Sequence, residues 1–109
     1  MGFSIQGNII TLTRGDTLKA LIEITDADGS PYNASNGDTI RFAAKKSYDN
    51  DELSLLKYIP TTTMMLVIDP EDTKSLNFGT YVYDIQITKS SGEVDTFIKG
   101  KLKLTEEVD

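Results

Sequence analysis

The sequence predicts an all-β sandwich, and three observations carry that reading. Apolar residues recur with a period of two along most of the chain, the signature of strands with one buried face. Turn-forming residues interrupt these runs about every 8–12 positions. Only one short stretch carries helix-start chemistry. With 109 residues, 39% hydrophobic and 26% charged, the chain has the size and composition of one globular domain spanning residues 1–109.

The elements follow in order. Met1-Gly2-Phe3-Ser4-Ile5 is apolar for a chain end. It reads either as a first half-strand or as an arm that adds to a neighbouring subunit's sheet, with Phe3 and Ile5 as its contacts. Asn8 to Thr13 is the first full strand. Thr17 to Ile24 alternates, with Leu18, Ala20, Ile22 and Ile24 on one face and Lys19, Leu21 and Glu23 on the other. Asp26-Ala27-Asp28-Gly29-Ser30-Pro31 ends it with turn residues, and Asn33 to Gly37 continues as a loop. Thr39 to Lys46 sets Ile40, Phe42 and Ala44 against Arg41, Ala43 and Lys45.

Ser47 to Glu52 is a polar loop, and Leu53 to Ile59 and Met64 to Ile68 are two further strands. Asp69-Pro70-Glu71-Asp72 then places a capping carboxylate before a proline, with acids in the first turn, and predicts one helical turn near residues 70–76. Asn77-Phe78-Gly79 closes it. Thr80 to Thr88 alternates most clearly: Tyr81, Tyr83, Ile85 and Ile87 share a face opposite Val82, Asp84, Gln86 and Thr88. After the Lys89-Ser90-Ser91-Gly92 hairpin, Glu93 to Leu104 returns, with Val94, Thr96, Ile98, Leu102 and Leu104 on one face. Glu106 to Asp109 reads as a frayed acidic tail.

About seven strands with one helical turn before a strand that opens on tyrosine predict an immunoglobulin-like antiparallel β-sandwich. Tyr81 is the candidate for the corner tyrosine of such a fold; the alternative is a plain core tyrosine.

Composition narrows the chemistry. The chain holds no histidine and no cysteine, so the usual general base, the commonest zinc ligands and the Ser-His and Cys-His nucleophile pairs are missing. Disulfides are excluded, which suits a reducing compartment. The expectation is a chain that is not an enzyme and takes no cofactor or metal. A net charge of −6 disfavours nonspecific attraction to a phosphate backbone, so nucleic acid is not an expected partner. No stretch approaches the roughly 20 apolar residues of a bilayer span. Met1 to Arg14 lacks the basic region and apolar core of a secretory signal, so folding inside the cell, without a membrane partner, is expected.

Several short patterns have a bland and a sharp reading. Arg14-Gly15-Asp16 spells a cell-adhesion tripeptide, but Gly-Asp is also what a turn between strands wants. Asp26 and Asp28 before Gly29 offer oxygens to calcium, yet the other ligands of a binding loop are missing, and a hairpin turn is the better account. Asp49, Asp51 and Glu52 read as a solvated loop. Asn33-Ala34-Ser35 matches a glycosylation acceptor that the expected compartment leaves unused. Lys99, Lys101 and Lys103 form an outward row, read as protection of a sheet edge rather than as a phosphate-binding stripe. Leu21, Val82 and Phe97 are apolar residues on otherwise polar faces; if adjacent strands bring them together, they form a contact patch.

The order of blocks adds a resemblance. Arg14-Gly15-Asp16-Thr17, Asp28-Gly29-Ser30-Pro31-Tyr32, Gly37-Asp38-Thr39-Ile40-Arg41-Phe42 and Lys45-Lys46-Ser47 come first. Asp69-Pro70-Glu71-Asp72-Thr73, Gly79-Thr80-Tyr81-Val82-Tyr83-Asp84-Ile85-Gln86 and Glu106-Glu107 follow. This order resembles the N-terminal domains of phage baseplate upper proteins and related small structural proteins of phages and prophages of Gram-positive bacteria. The resemblance covers nearly the whole chain. It implies an assembly or attachment module of a tail, baseplate, connector or head. Its partners would be other phage structural proteins or itself, and it would be made in the bacterial cytoplasm and carried in the virion. In that family the sandwich precedes a long C-terminal extension, whereas this sequence stops at residue 109. The other expectation is a ligand-binding module for host-surface carbohydrate, with Tyr32, Tyr48 and Tyr58 as the tyrosines near loops.

Overall fold

The alternation in the sequence becomes eight strands and one short helix. The computed structural model describes residues 3–24, 29, 37–50 and 52–106. Among them run β1 (Phe3–Gln6), β2 (Ile9–Thr13), β3 (Leu18–Leu21), β4 (Thr39–Lys45), β5 (Leu55–Ile59), β6 (Met65–Ile68), α1 (Pro70–Lys74), β7 (Gly79–Thr88) and β8 (Val94–Thr105). The protein is mostly β, with a six-stranded sheet in the order β1-β2-β8-β7-β4-β5 and a two-stranded sheet of β3 and β6. The turn at Asp26 to Pro31 (Gly29 apart), the loop from Asn33 (up to Gly37), the acceptor triplet Asn33-Ala34-Ser35 and the tail beyond Glu106 lie outside the described residues. So do Met1, Gly2, Tyr32 and Asp51.

The period-two faces point where the pattern puts them. Leu18 and Ala20 on β3 and Leu66 and Ile68 on β6 are buried from one layer. Ile40, Phe42 and Ala44 on β4, Tyr81, Tyr83, Ile85 and Ile87 on β7, and Leu102 and Leu104 on β8 are buried from the other. All of them belong to one core cluster. Between the layers the Phe42 and Tyr83 rings stack, with centroids 4.9 Å apart.

Three expectations need correction. The fold is not the wholly antiparallel one expected, because β2 runs parallel to β8 from Ile9↔Lys101 to Thr13↔Thr105. Alternation says which face a strand buries but nothing about its neighbour, and the first long strand meets the last one. For the same reason the Lys99, Lys101 and Lys103 row does not protect an edge: β8 lies between β2 and β7. Finally, Val94 and Thr96 do not share a face with Ile98, Leu102 and Leu104. The register passes from Ile85↔Ile98 to Gln86↔Thr96, skipping Phe97. That bulge inserts one residue and inverts the phase beyond it, which leaves Val94 exposed.

The helical turn is pinned at both ends. The Asp69 backbone N–H donates to Asp72 Oδ2 at 2.7 Å, and Pro70 opens the helix where its missing N–H costs nothing. Thr73 is fully buried because its Oγ1 accepts the Gly15 N–H at 2.9 Å. Arg14 donates from Nη1 to the Leu76 carbonyl at 3.1 Å, and its guanidinium sits 4.0 Å over the Phe78 ring. Arg14-Gly15-Asp16 is therefore a turn, closed by Asp16 N–H to Thr13 O at 3.0 Å, whose arginine clamps the end of α1.

Tyr81 is fixed at both its ring and its hydroxyl. Its ring is buried, and its hydroxyl donates to the Asn77 carbonyl, four residues upstream, at 2.8 Å. Tyr81→Phe keeps the packing and strands that carbonyl, so unfolding in urea should show a loss of about 1 kcal/mol.

Lys57 on β5 ties the large sheet to the helix cap: its Nζ lies 2.9 Å from Asp72 Oδ2 and 3.4 Å from Asp69 Oδ2. The hydrogen bond to Asp72, with the charges of both carboxylates, raises its pKa above the ordinary 10.5 despite the opposing desolvation. Burial likewise raises Tyr81 and Tyr83 above 10.0. A folded pKa raised above its unfolded value gives stability that is complete below the unfolded value and lost as pH rises through the folded one. The urea midpoint should therefore hold from neutral pH to about 10 and fall above it. Lys57→Met should cost about 1 kcal/mol at neutral pH and make that alkaline fall shallower.

Candidate interaction face

The outer surface of the six-stranded sheet gathers cations beside exposed apolar side chains. On β4, β7 and β8 every second side chain is committed to the core, so the residues between them must face out. Registry then sets these outward residues in rows. One row runs Lys45, Val82, Lys101 and Ile9 across β4, β7, β8 and β2. The next runs Leu56, Ala43, Asp84 and Lys99 across β5, β4, β7 and β8. A third sets Tyr58 beside Arg41 and Gln86, and Lys103 lies between Thr11 and Thr80.

The charge at the outward positions of these strands is one-sided, although Asp95 also lies on β8 and the connection carrying Tyr48 and Leu53 brings Asp49 and Glu52. Arg41, Lys45, Lys99, Lys101 and Lys103 provide five of the chain's 11 cations, and Asp84 is the one carboxylate among them out of 17. The remainder of the chain therefore has six cations against sixteen carboxylates. Arg41 is held in place by Gln86, whose Oε1 accepts from Nη2 at 2.7 Å, and lies 3.6 Å from Asp84 Oδ1. Its Nη1 is buried and makes no hydrogen bond.

Beside the cations lies apolar surface. Tyr48 and Leu53, from the connection between β4 and β5, line one shallow depression with Ala43, Val82, Lys45 and Lys99. Ala43 is buried although its position faces outward. Tyr48, Leu53, Leu56 and Tyr58 stay largely exposed, Tyr58 at 63%. The face can form ion pairs, donate hydrogen bonds and exclude water over an apolar centre, which is the chemistry of docking.

The residues singled out in the sequence fall in different places. Val82 lies at the centre of this face, half-buried between Lys45 and Lys101. Leu21 is 61% exposed but sits on β3, opposite Met65 in the two-stranded sheet, so it shares no patch with Val82. Phe97 is the bulge residue of β8; its side chain is outside the described part of the structure. Phe3 and Ile5 are on β1, opposite Leu12 and Ile10 of the chain's own β2. Phe3 packs against the core, and Ile5 is 44% exposed at the sheet's end strand. Arg41, Leu53 and Leu56 were not singled out as contacts; Tyr48 and Tyr58 were named only for a carbohydrate site near loops, and Tyr58 lies on β5. The outward parity of Arg41 was a usable signal, whereas the return of the 46–54 connection over Ala43 had none.

No protein-family model matches this chain, and no curated protein sequence matches it.

Proposed function

We propose that this chain is an assembly or attachment module of a bacteriophage or prophage particle, acting through the outer face of its six-stranded sheet. The one-sided charge of that face carries the docking part of the reading. Acidic residues dominate the chain as a whole, yet cations gather around Val82 and Ala43 on this side. The particle itself rests on the sequence resemblance, which implies other phage structural proteins or a second copy as partners, and a cytoplasmic stage before the virion.

An immunoglobulin-like sandwich is the finer fold within this reading. Its supports are the Tyr81 hydroxyl bond to Asn77 at the start of β7 and the separation of the β3–β6 pair from the β4, β7 and β8 sheet. Both are features of that architecture.

The experiment is to purify particles from a culture producing the chain and quantify it by mass spectrometry. A fixed copy number per particle is expected, and absence from particles refutes the reading. Exposed Tyr48 and Tyr58 favour a second reading, a carbohydrate-binding module. Competable binding on a glycan array, lost in Tyr58→Ala, would replace the first proposal with it.

A further inference from the structure

The charge distribution decides how the face can be used. A two-fold contact puts the same patch on both subunits. Here that would set Arg41, Lys45, Lys99, Lys101 and Lys103 against their own copies, with one Asp84 on each side to offset them. Like charges brought together and desolvated oppose association. The complement this face requires is acidic, and the remainder of the same chain, with sixteen carboxylates to six cations, supplies it.

We infer that the outer face of the six-stranded sheet binds a carboxylate-rich surface elsewhere on a second copy of this chain, in a head-to-tail contact. The inference rests on reading this face as an interface. A contact between unlike surfaces leaves a free basic face at one end and a free acidic surface at the other. It therefore propagates until it closes into a ring, or grows as a filament. A protein surface suits the face better than a nucleic acid does. Val82, Ala43 and Ile9 lie among the cations and Leu53 beside them, giving an apolar centre to desolvate, and a chain of net charge −6 repels a long polyanion at a distance.

The test is absolute mass by light scattering over a hundredfold concentration range, in about 10 mM and about 1 M salt, where the screening length falls from about 30 Å to about 3 Å. The wild-type chain should form species larger than a dimer at low salt and weaken at least tenfold at high salt. K99E/K101E/K103E should be monomeric, and K99Q/K101Q/K103Q intermediate. Far-UV circular dichroism and urea midpoints near wild type confirm that both variants fold, since all three lysines project from the sheet.

Mixing supplies the decisive arm. The charge-reversed variant keeps its acidic surface, so in a head-to-tail assembly it caps wild-type chains and lowers their mean mass in proportion to the amount added. A wild-type chain that stops at a dimer at low salt instead indicates a face-to-face contact and overturns the inference. So does a wild-type chain that stays monomeric at low salt. If that monomer binds polyglutamate the face belongs to a different acidic protein, and if it binds a single-stranded oligonucleotide, to nucleic acid. A monomer that is still found in purified particles defeats this inference and leaves the proposed function standing. An assembling chain absent from particles does the reverse.

Discussion

Replacing Gly100 with alanine should destabilise the fold by about 3 kcal/mol, lowering Tm by roughly 12–20 °C. Gly100 lies on β8 directly opposite Tyr83. A Cβ there would overlap the Asn8 carbonyl oxygen and come within 2.9 Å of both Asn8 Cβ and Tyr83 Oη. The carbonyl cannot simply retreat, because it accepts the Tyr83 hydroxyl at 2.9 Å and the Lys101 N–H at 3.2 Å. The Asn8 side chain holds the same turn to β8, donating from Nδ2 to the Lys99 carbonyl at 3.1 Å. The alanine must therefore push the β1–β2 turn off β8 and break two or three hydrogen bonds, each worth about 1 kcal/mol. Gly92→Ala is the control: its φ is +94° with open space around it, so only the left-handed backbone penalty of about 1 kcal/mol applies. Equal losses at the two positions in urea titrations would show that crowding at Asn8 is not the cause.

Gly100 also shows where sequence reading ends. Its place in the alternation, between outward Lys99 and Lys101, put it on the inner face, but only the approach of Asn8 from 92 positions earlier explains why no side chain fits. The faces themselves were legible. Leu18 and Ala20, Ile40 and Phe42, and Tyr81 to Ile87 are buried in the phase the pattern gives, because a period of two is a local property of the strand. Partners are not local. The parallel β2–β8 pairing joins residues about 92 apart and moved the lysine row from a supposed edge to the middle of a sheet. Leu21 and Val82 looked alike in the sequence, each an apolar residue on a polar face, yet they belong to different sheets. A bulge also escapes pattern reading, since one extra residue at Phe97 reverses every later assignment toward Val94. The interaction face was thus half visible: the outward parity of its cations could be read, but not their convergence.

Phe42→Ala should cost still more, about 4 kcal/mol. Phe42 is fully buried, pairs with Ile85 on β7 and Lys57 on β5, and stacks on Tyr83 with an interplanar angle of 30°. Truncation opens a cavity between the two sheets and frees the ring whose hydroxyl holds Asn8. Phe42→Leu keeps most of the volume and should lose about 1.5 kcal/mol or less. A domain of this size has about 5–15 kcal/mol in total, so the alanine variant should be partly unfolded well below the wild-type midpoint. The effect on function should differ in kind. Arg41 and Ala43, the neighbours of Phe42 on β4, face outward, so below its own midpoint the alanine variant should still present the basic face and assemble like wild type. The lysine-to-glutamate triple variant should keep its stability and lose assembly. If Phe42→Ala abolished assembly while circular dichroism showed it folded, the outer face would depend on the packing beneath it, and charge alone would not account for docking.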